Sequence, residues 1–145
     1  GELLMRIDIV PLSLTLAQAA IESGWGTSRY LREGNALYGQ YTFDKNSGIE
    51  PKNRDKEKNF FVKKFLNLSD STQSYLKNIN THNAYRKLRQ ERGRLRMNGE
   101  SLTGLSLANF LQNYSERKGE YVQDLIKIIQ SNNFMKFDKA EGLIN

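Results

Sequence analysis

The sequence predicts an α+β domain, mostly α, in which a helical body carries a small β-hairpin lobe. Three features of the 145 residues indicate this class. An alanine-rich helical stretch comes first, an aromatic-rich stretch with strand character follows, and apolar residues then recur at helical spacing. Hydrophobic residues form 38% of the chain and charged residues 26%, which is typical of a folded globular protein.

The first helix is predicted over residues 11–23, because its leucines and alanines favour helix and the glycines that follow end it. Ser13 or Thr15 is its expected N-cap. Residues 28–34 are predicted to form a short polar helix or a turn. Small alanines in the first helix indicate that it is buried on more than one side.

The next segment predicts a β-hairpin with a long polar tip. Residues 35–43 are rich in aromatic side chains and show no helical stripe, so they are predicted to be a strand. Residues 44–59 are dense in Lys, Asn, Asp and Gly and are predicted to be a loop. Residues 60–65 are the second strand of the hairpin.

The rest of the chain is predicted to be helical, with a turn at Asn98-Gly99. The last dozen residues are polar and are expected to fray or to wrap the surface. No repeat or long linker divides the chain, so residues 1–145 are predicted to form a single domain. The predicted helical segments are one that begins near Ser69, residues 84–96, residues 106–114 and residues 120–130.

Several classes of site are disfavoured by composition. Cysteine is absent, which excludes disulfides and a thiol nucleophile, and the single histidine, His82, disfavours a protein-built zinc centre. We therefore expect no metal and no cofactor. No apolar run is long enough to span a membrane. Because the chain opens with GELLMRID and its first methionine is Met5, we expect a fragment of a longer, exported protein.

Positive charge is concentrated in residues 85–96, which hold six basic residues against Glu91 and account for nearly all of the net charge of +6. One interpretation is an anion-binding surface for nucleic acid or an acidic wall polymer. The favoured alternative is a solvated helix face with Tyr85, Leu88 and Leu95 turned inward.

Glu22 stands at the end of the predicted first helix, directly before Ser-Gly-Trp-Gly. A helix C-terminus carries partial negative charge and burial removes water, and both effects raise the pKa of a carboxyl group. A carboxylic acid with a raised pKa suits the protonation of a glycosidic oxygen. We therefore interpret Glu22 as a general acid. The alternative is a glutamate that braces the turn and pairs with Arg29 or Arg32.

Sugar binding and a second carboxylate also have candidates. Trp25, Tyr38 and Tyr41 offer apolar ring faces to a sugar. Glycoside hydrolysis usually needs a second carboxylate across the cleft. The tip of the predicted hairpin supplies four: Asp44, Glu50, Asp55 and Glu57.

Residues 17–40, AQAAIESGWGTSRYLREGNALYGQ, closely resemble the signature of glycoside hydrolase family 73, the bacterial peptidoglycan N-acetylglucosaminidases with a lysozyme-like fold. The pattern of an alanine-rich helix, Glu-Ser-Gly-Trp-Gly and Asn-x-Leu-Tyr-Gly is specific. The similarity extends over about residues 12–133. Residues 51–55, 78–89 and 113–125 resemble the Bax-like branch of that family.

The resemblance implies roles for individual residues. Glu22 falls on the family's essential acid, and Tyr114 falls on a tyrosine that the family places facing the acid. Core packing remains open for Tyr114, because it continues an apolar stripe. Tyr121 packs or lines the edge of the groove. The substrate groove is implied for Trp25, Asn35, Tyr38 and Gly39.

The second carboxylate is where this sequence departs from the family. Glu50 is the nearest counterpart of the proposed base, but the local GIEPKNRD lacks the usual threonine-rich approach. Asp55 is a rival. A third possibility is that no second carboxylate is needed, because the substrate's own 2-acetamido group can act as the nucleophile.

The resemblance implies an endo-β-N-acetylglucosaminidase that cleaves the β-1,4 bond between N-acetylglucosamine and N-acetylmuramic acid. Its partners would be peptidoglycan glycan strands, with no nucleic acid, and we expect an exported monomer acting in the periplasm, the cell envelope or outside the cell. The alternatives are a muramidase or lytic transglycosylase, a non-catalytic glycan-binding wall module and, ranked lower, a nucleic-acid-binding protein.

Overall fold

The structure is a computed structural model that describes residues 1–53 and 59–141. It confirms the mostly helical α+β class. The α-helices within these residues are α1 (Glu2–Arg6), α2 (Leu12–Glu22), α3 (Arg29–Gly34), α4 (Leu68–Thr81), α5 (Arg86–Met97), α6 (Gly104–Leu107), α7 (Gly119–Ser131) and α8 (Met135–Glu141). The strands are β1 (Tyr41–Thr42), β2 (Gly48–Ile49) and β3 (Phe61–Lys63), and 3-10 helices lie at Lys45–Ser47, Asn83–Tyr85 and Ala108–Tyr114.

The described chain forms two compact units. One, the helical unit, comprises residues 1–18 and the described residues from Lys77 onward. The other, the sheet unit, comprises the described residues of Ala19–Leu76 and contains all three strands named above. The boundaries between the units fall within α2 and within α4.

The core of the helical unit is built on α7, which confirms the helix predicted over residues 120–130. The 3-10 helix Ala108–Tyr114 packs against α7, and α5 contributes Leu88 and Leu95. Burying an aliphatic or aromatic side chain stabilises a fold by roughly 1.5–3 kcal/mol, so this face of α7 is a main source of stability. The buried residues of α7 are Tyr121, Val122, Leu125 and Ile129.

The segment predicted as one helix over residues 106–114 is divided in the structure. It forms α6 and then a 3-10 helix that is kinked at Leu111 (φ −103°, ψ 16°). The start of α6 is fixed by a capping box, in which the side chains of Thr103 and Ser106 bond each other's backbone N–H groups.

In the sheet unit, the strand order is β1-β3-β2 and both pairings are antiparallel. The pairing of β1 with β3 confirms the predicted hairpin. The first strand is shorter than predicted, however, and β2 lies inside the segment predicted as loop. β2 can lie close beside β3 because residue 48 is a glycine, since a Cβ there would collide with Phe61.

Of the two expectations for the end of the chain, the described residues support packing on the surface over fraying, because residues 135–141 form the helix α8. Its buried Asp138 accepts hydrogen bonds from Ser13 N (2.9 Å), Ser13 Oγ (2.6 Å) and Gly104 N (2.9 Å). The Asp138 carboxylate accepts the hydrogen bond from a backbone N–H at the start of α2 that an N-cap side chain would accept. Ser13 lies inside the helix and donates to Asp138, so Ser13 is not an N-cap. Thr15 is not one either, because its hydroxyl donates back to Pro11 O.

The basic segment, residues 85–96, is only partly a surface. Tyr85, Leu88 and Leu95 are buried, as predicted. Arg89 and Arg92 are buried as well, which neither interpretation of this segment anticipated. Their charges bind protein groups and do not belong to an anion-binding face.

Backbone carbonyls are the reason that these two arginines are buried. Arg89 Nη1 donates to Ile79 O (2.9 Å) and His82 O (2.8 Å), at the C-terminal end of α4. Arg92 donates to Ile9 O (2.7 Å), Met5 O and Asn80 Oδ1 (2.8 Å). These hydrogen bonds join the N-terminal segment to the rest of the helical unit. They matter there because α1 itself has no buried residue.

None of the described helices is long and apolar enough to cross a membrane.

Candidate active site

Glu22 is the last residue of α2, and a Schellman motif ends the helix directly behind it. Gly24 takes a left-handed conformation (φ +56°), Trp25 N donates to Ala20 O (2.8 Å), and Gly24 N donates to Ile21 O (3.4 Å). The carboxylate is half-buried at the negative end of the helix.

A hydroxyl inside this turn fixes its path. Ser23 is buried, and its Oγ donates to Ala19 O (2.6 Å) and accepts from Gly26 N (3.1 Å). Trp25 adopts φ +55° between Gly24 and Gly26, which also have positive φ. A left-handed tryptophan is uncommon, and this backbone is held by hydrogen bonds on both sides.

Glu22 meets Gly39 in the sheet unit. A Cβ built on Gly39 would lie 2.6 Å from Glu22 Oε2, and Gly39 has φ +64°. Both facts favour glycine at this position, because the left-handed backbone is strained for other residues and a side chain here would displace the Glu22 carboxylate. The structure therefore brings together two of the predicted site residues.

The two other predicted groove residues of this segment have packing and bracing contacts. Asn35 has φ +51° at the end of α3, and its side-chain amide donates to Phe65 O (3.0 Å). Tyr38 is only 3% exposed and stacks on Tyr75 with ring centroids 3.9 Å apart. Burial raises the pKa of the Tyr38 phenol, with partial opposition from a hydrogen bond to Thr72. Tyr38 is thus a core residue and presents no ring face to a sugar.

Trp25 and Tyr41 differ from Tyr38, because both are well exposed. The exposed fraction is 58% for Trp25 and 66% for Tyr41. Of the three aromatic residues that the sequence suggested for sugar stacking, these two present surface.

Glu50 and Asp55 are the two candidates for the second carboxylate that the family resemblance singles out. Glu50 is exposed directly after β2, and its backbone oxygen accepts from Arg29 Nη2 (2.8 Å). Asp55 lies outside the described residues. Arg29, one of the two arginines named as partners of Glu22 in the alternative interpretation, also meets Glu33 (3.5 Å), and Arg32, the other, donates to Thr27 O (2.7 Å). That alternative stays open.

Tyr114 and Tyr121 lie in the helical unit. Their rings stack with centroids 5.8 Å apart and an interplanar angle of 6°. Tyr121 is buried, and its hydroxyl accepts from Gln18 Nε2 (3.1 Å). Tyr121 therefore packs, which is one of the two roles left open for it. Tyr114 is half-buried and also approaches Tyr85.

A separate apolar cleft of about 770 Å³ lies between α1 and α5. Leu4, Met5, Gly93 and Met97 are among its lining residues, and none of the predicted site residues lines it. Among the described residues, no group of three His, Cys, Asp or Glu side chains is placed to hold a metal ion.

Sequence reasoning missed Ser23 and Gln18 as parts of this arrangement. Ser23 had a signal, since a serine between a helix end and a glycine is well placed to bond the turn backbone. Gln18 also had one, since a glutamine among alanines and leucines in a buried helix needs a hydrogen-bond partner.

Chemically, the turn offers one carboxyl group at a helix C-terminus, an exposed indole close to it in sequence, and a glycine that leaves room for the carboxylate. A protonated carboxyl group in such a place can give a proton to an ether oxygen of a ligand.

Comparison with known proteins places the chain among glycosidases. The glucosaminidase family model, described as mannosyl-glycoprotein endo-β-N-acetylglucosaminidase, matches residues 2–134, which include Glu22, Gly39 and Tyr114. The chain is also 34% identical over 130 residues to Protein bax of Escherichia coli (strain K12), covering 90% of this chain and 46% of that protein. The chain thus spans about half the length of the curated relative that it matches. No solved structure matches it significantly.

Proposed function

Since the chain belongs to the glucosaminidase family of glycoside hydrolases, we propose that it hydrolyses the β-1,4 bond between N-acetylglucosamine and N-acetylmuramic acid in peptidoglycan. The observation that carries this proposal is the placement of the Glu22 carboxylate at the end of α2, against Gly39. Hydrolysis of this bond would leave N-acetylglucosamine at the new reducing end.

Glu22 acts as the general acid in this proposal. The partial negative charge at the end of α2 disfavours the ionised carboxylate, and half-burial acts in the same direction. The protonated form then delivers its proton to the glycosidic oxygen as that bond breaks. In the route through the substrate's 2-acetamido group, the Glu22 carboxylate that remains takes a proton from the attacking water, which restores the acid. In the route through a second carboxylate, that carboxylate takes the water proton, and Glu22 regains its proton from solvent.

The positive charge that develops at the anomeric carbon as the glycosidic bond breaks is stabilised in one of two ways. Glu50 or Asp55 activates the water as a second carboxylate, or the substrate's 2-acetamido oxygen attacks the anomeric carbon and water then opens the resulting ring. The exposed position of Glu50 after β2 is compatible with the first route and not required by the second.

The proposed substrate rests on the resemblance to the peptidoglycan-degrading members, whereas the matching family is described by a mannosyl-glycoprotein activity. A peptidoglycan substrate implies that the protein is exported and acts outside the cytoplasm. Oligomeric state follows from none of these observations, and the expected monomer stays a prediction.

The experiment is mass spectrometry of soluble products after incubation with purified peptidoglycan and borohydride reduction. Wild type is compared with Glu22→Gln and with Glu33→Gln, a matched change at an exposed position. We expect reduced N-acetylglucosamine ends with wild type and Glu33→Gln and none with Glu22→Gln, at equal thermal stability.

Other products would redirect the proposal. Muramic ends would indicate a muramidase, and anhydromuramic ends a lytic transglycosylase. Release from a mannosyl-glycoprotein but not from peptidoglycan would replace the substrate. No products from either substrate would leave a glycan-binding wall module. Unfolding of Glu22→Gln would give Glu22 a structural role.

A further inference from the structure

The aromatic side chains of the sheet unit include two that are buried and three that are well exposed. Tyr38 and Tyr75 are stacked in the core. Trp25 and Tyr41 are exposed, and so is Phe43, at 84%. A phenylalanine held this far out in water gains almost nothing from the hydrophobic effect, and clustered exposed aromatic residues mark binding surfaces.

Tyr41 lies on β1, and Phe43 follows directly after the end of that strand, two residues from Tyr41. β1 is an outer strand, since it pairs with β3 on one side and the order is β1-β3-β2. Phe60, directly before β3, supports the Tyr41 ring with centroids 4.8 Å apart and planes inclined by 57°. We refer to Tyr41 and Phe43 as the aromatic edge.

The aromatic edge starts beside the candidate acid. Gly39 lies against the Glu22 carboxylate, and Tyr41 follows Gly39 by two residues. Because successive Cα atoms are about 3.8 Å apart, the Tyr41 Cα lies within about 7.6 Å of the Gly39 Cα, and Phe43 extends the edge further away.

The main chain between Gly39 and Tyr41 is fixed, because Gln40 O accepts a hydrogen bond from Lys63 N (2.8 Å).

We propose that the aromatic edge binds the glycan strand beyond the bond that is cleaved, with Tyr41 and Phe43 stacking on successive sugar rings. The faces of a β-linked pyranose carry C–H groups that pack on aromatic rings, while its hydroxyl and acetamido groups remain at the rim. This inference rests on the proposed function and assigns to the same substrate a binding surface that the reacting groups do not include.

The test measures binding without turnover, in the full chain carrying Glu22→Gln. Isothermal titration with N-acetylglucosamine oligomers, a disaccharide and a hexasaccharide, is compared for that protein and for the additional changes Tyr41→Ala, Phe43→Ala and Leu66→Ala. Leu66 is the matched control, because it is 91% exposed in the same unit and is not aromatic.

We expect Tyr41→Ala and Phe43→Ala each to weaken hexasaccharide binding by about three- to tenfold, as lost aromatic stacking does, and Leu66→Ala to leave it unchanged. Phe43→Ala should leave disaccharide binding unchanged, because Phe43 is further from the acid. Thermal unfolding checks that each variant folds.

Equal hexasaccharide affinities for all variants, or no measurable hexasaccharide binding by the Glu22→Gln protein, would overturn the proposal. Dimerisation of the parent protein that Phe43→Ala abolishes, measured by sedimentation, would also overturn it, because the edge would then be covered by a second copy. The outcome is separable from the proposed function. If the wild type cleaves peptidoglycan but the Tyr41→Ala and Phe43→Ala variants bind the hexasaccharide normally, only the role of the aromatic edge is refuted. If binding depends on the aromatic edge but the wild type cleaves nothing, only the proposed hydrolysis is refuted.

Discussion

The carboxylate of Glu22 occupies the space that a side chain at position 39 would need, since a Cβ on Gly39 would lie 2.6 Å from Glu22 Oε2. The end of α2 and the segment before β1 therefore pack closely against each other because residue 39 is a glycine. Nothing larger is accommodated there without moving the candidate acid.

Gly39→Ala is expected to reduce kcat/KM by about 100-fold, because a displaced catalytic group is costly to rate. The matched control is Gly99→Ala, since Gly99 has the same φ of +64° but no atom within 4 Å of its Cβ position. Both variants should lose about 1–2 kcal/mol of stability to the left-handed backbone. Kinetics and thermal unfolding are measured together, and equal kcat/KM for the two variants would contradict the role given to the contact.

Arg92 is expected to be essential for stability and not for binding anions. It is fully buried and bonds Met5 O, Ile9 O and Asn80 Oδ1. Arg92→Met should cost about 3 kcal/mol or more of unfolding free energy, because buried acceptors lose their donors.

Lys87→Met, on the exposed part of α5, is the control for Arg92 and should change stability by about 0.5 kcal/mol or less. Urea denaturation measures both. If Arg92→Met were as stable as wild type but bound wall polymer more weakly, the arginine would be a binding residue after all.

Asp8 is expected to make stability depend on pH in acid. Burial disfavours its ionisation, but hydrogen bonds from Arg96 and the Ile9 amide and the charges of Arg96 and Arg92 outweigh this and hold its pKa below the usual value. A lowered folded-state pKa contributes stability above the unfolded-state pKa of about 4 and loses it as pH falls through the folded-state value. Asp8→Asn should flatten this acid limb in denaturation curves, and parallel curves for the two proteins would refute the assignment.

Asp138 is expected to hold the start of α2 from a helix that lies beyond the residues matched by the family. Asp138→Ala leaves the Ser13 and Gly104 amides without their acceptor and should cost about 3 kcal/mol. Asp124→Ala, which removes an exposed ion pair with Arg117, should cost about 1 kcal/mol or less. Comparable losses in urea denaturation would show that Asp138 is not a structural anchor.

Much of the secondary structure followed from local pattern. The alanine-rich stretch before Glu22 became α2, and the apolar stripe around Leu125 became α7. The short strand β2 did not follow, because two residues in a polar segment carry no periodicity. Gly48 can pair with Lys63 because it has no Cβ to collide with Phe61, and that contact comes from a distant segment.

The candidate site divided in the same way. The order Glu-Ser-Gly-Trp-Gly predicts a helix that ends in a glycine turn behind a carboxylate, and the Schellman motif at Gly24 is that turn. Sequence could not separate Tyr38 from Tyr41, because both are tyrosines of one aromatic stretch. Tyr75 separates them by stacking on Tyr38 from a helix remote in sequence.

By itself, the sequence determined the mostly helical α+β class, the helix that carries Glu22 and the family to which the chain belongs, because these depend on residue order and short-range periodicity. Tertiary structure alone decided that Arg89 and Arg92 are buried anchors, that Tyr38 packs while Phe43 is exposed, and that Gly39 receives the Glu22 carboxylate. The physical reason is that burial and hydrogen-bond partners come from residues distant along the chain, which a local pattern of charge or aromaticity does not encode.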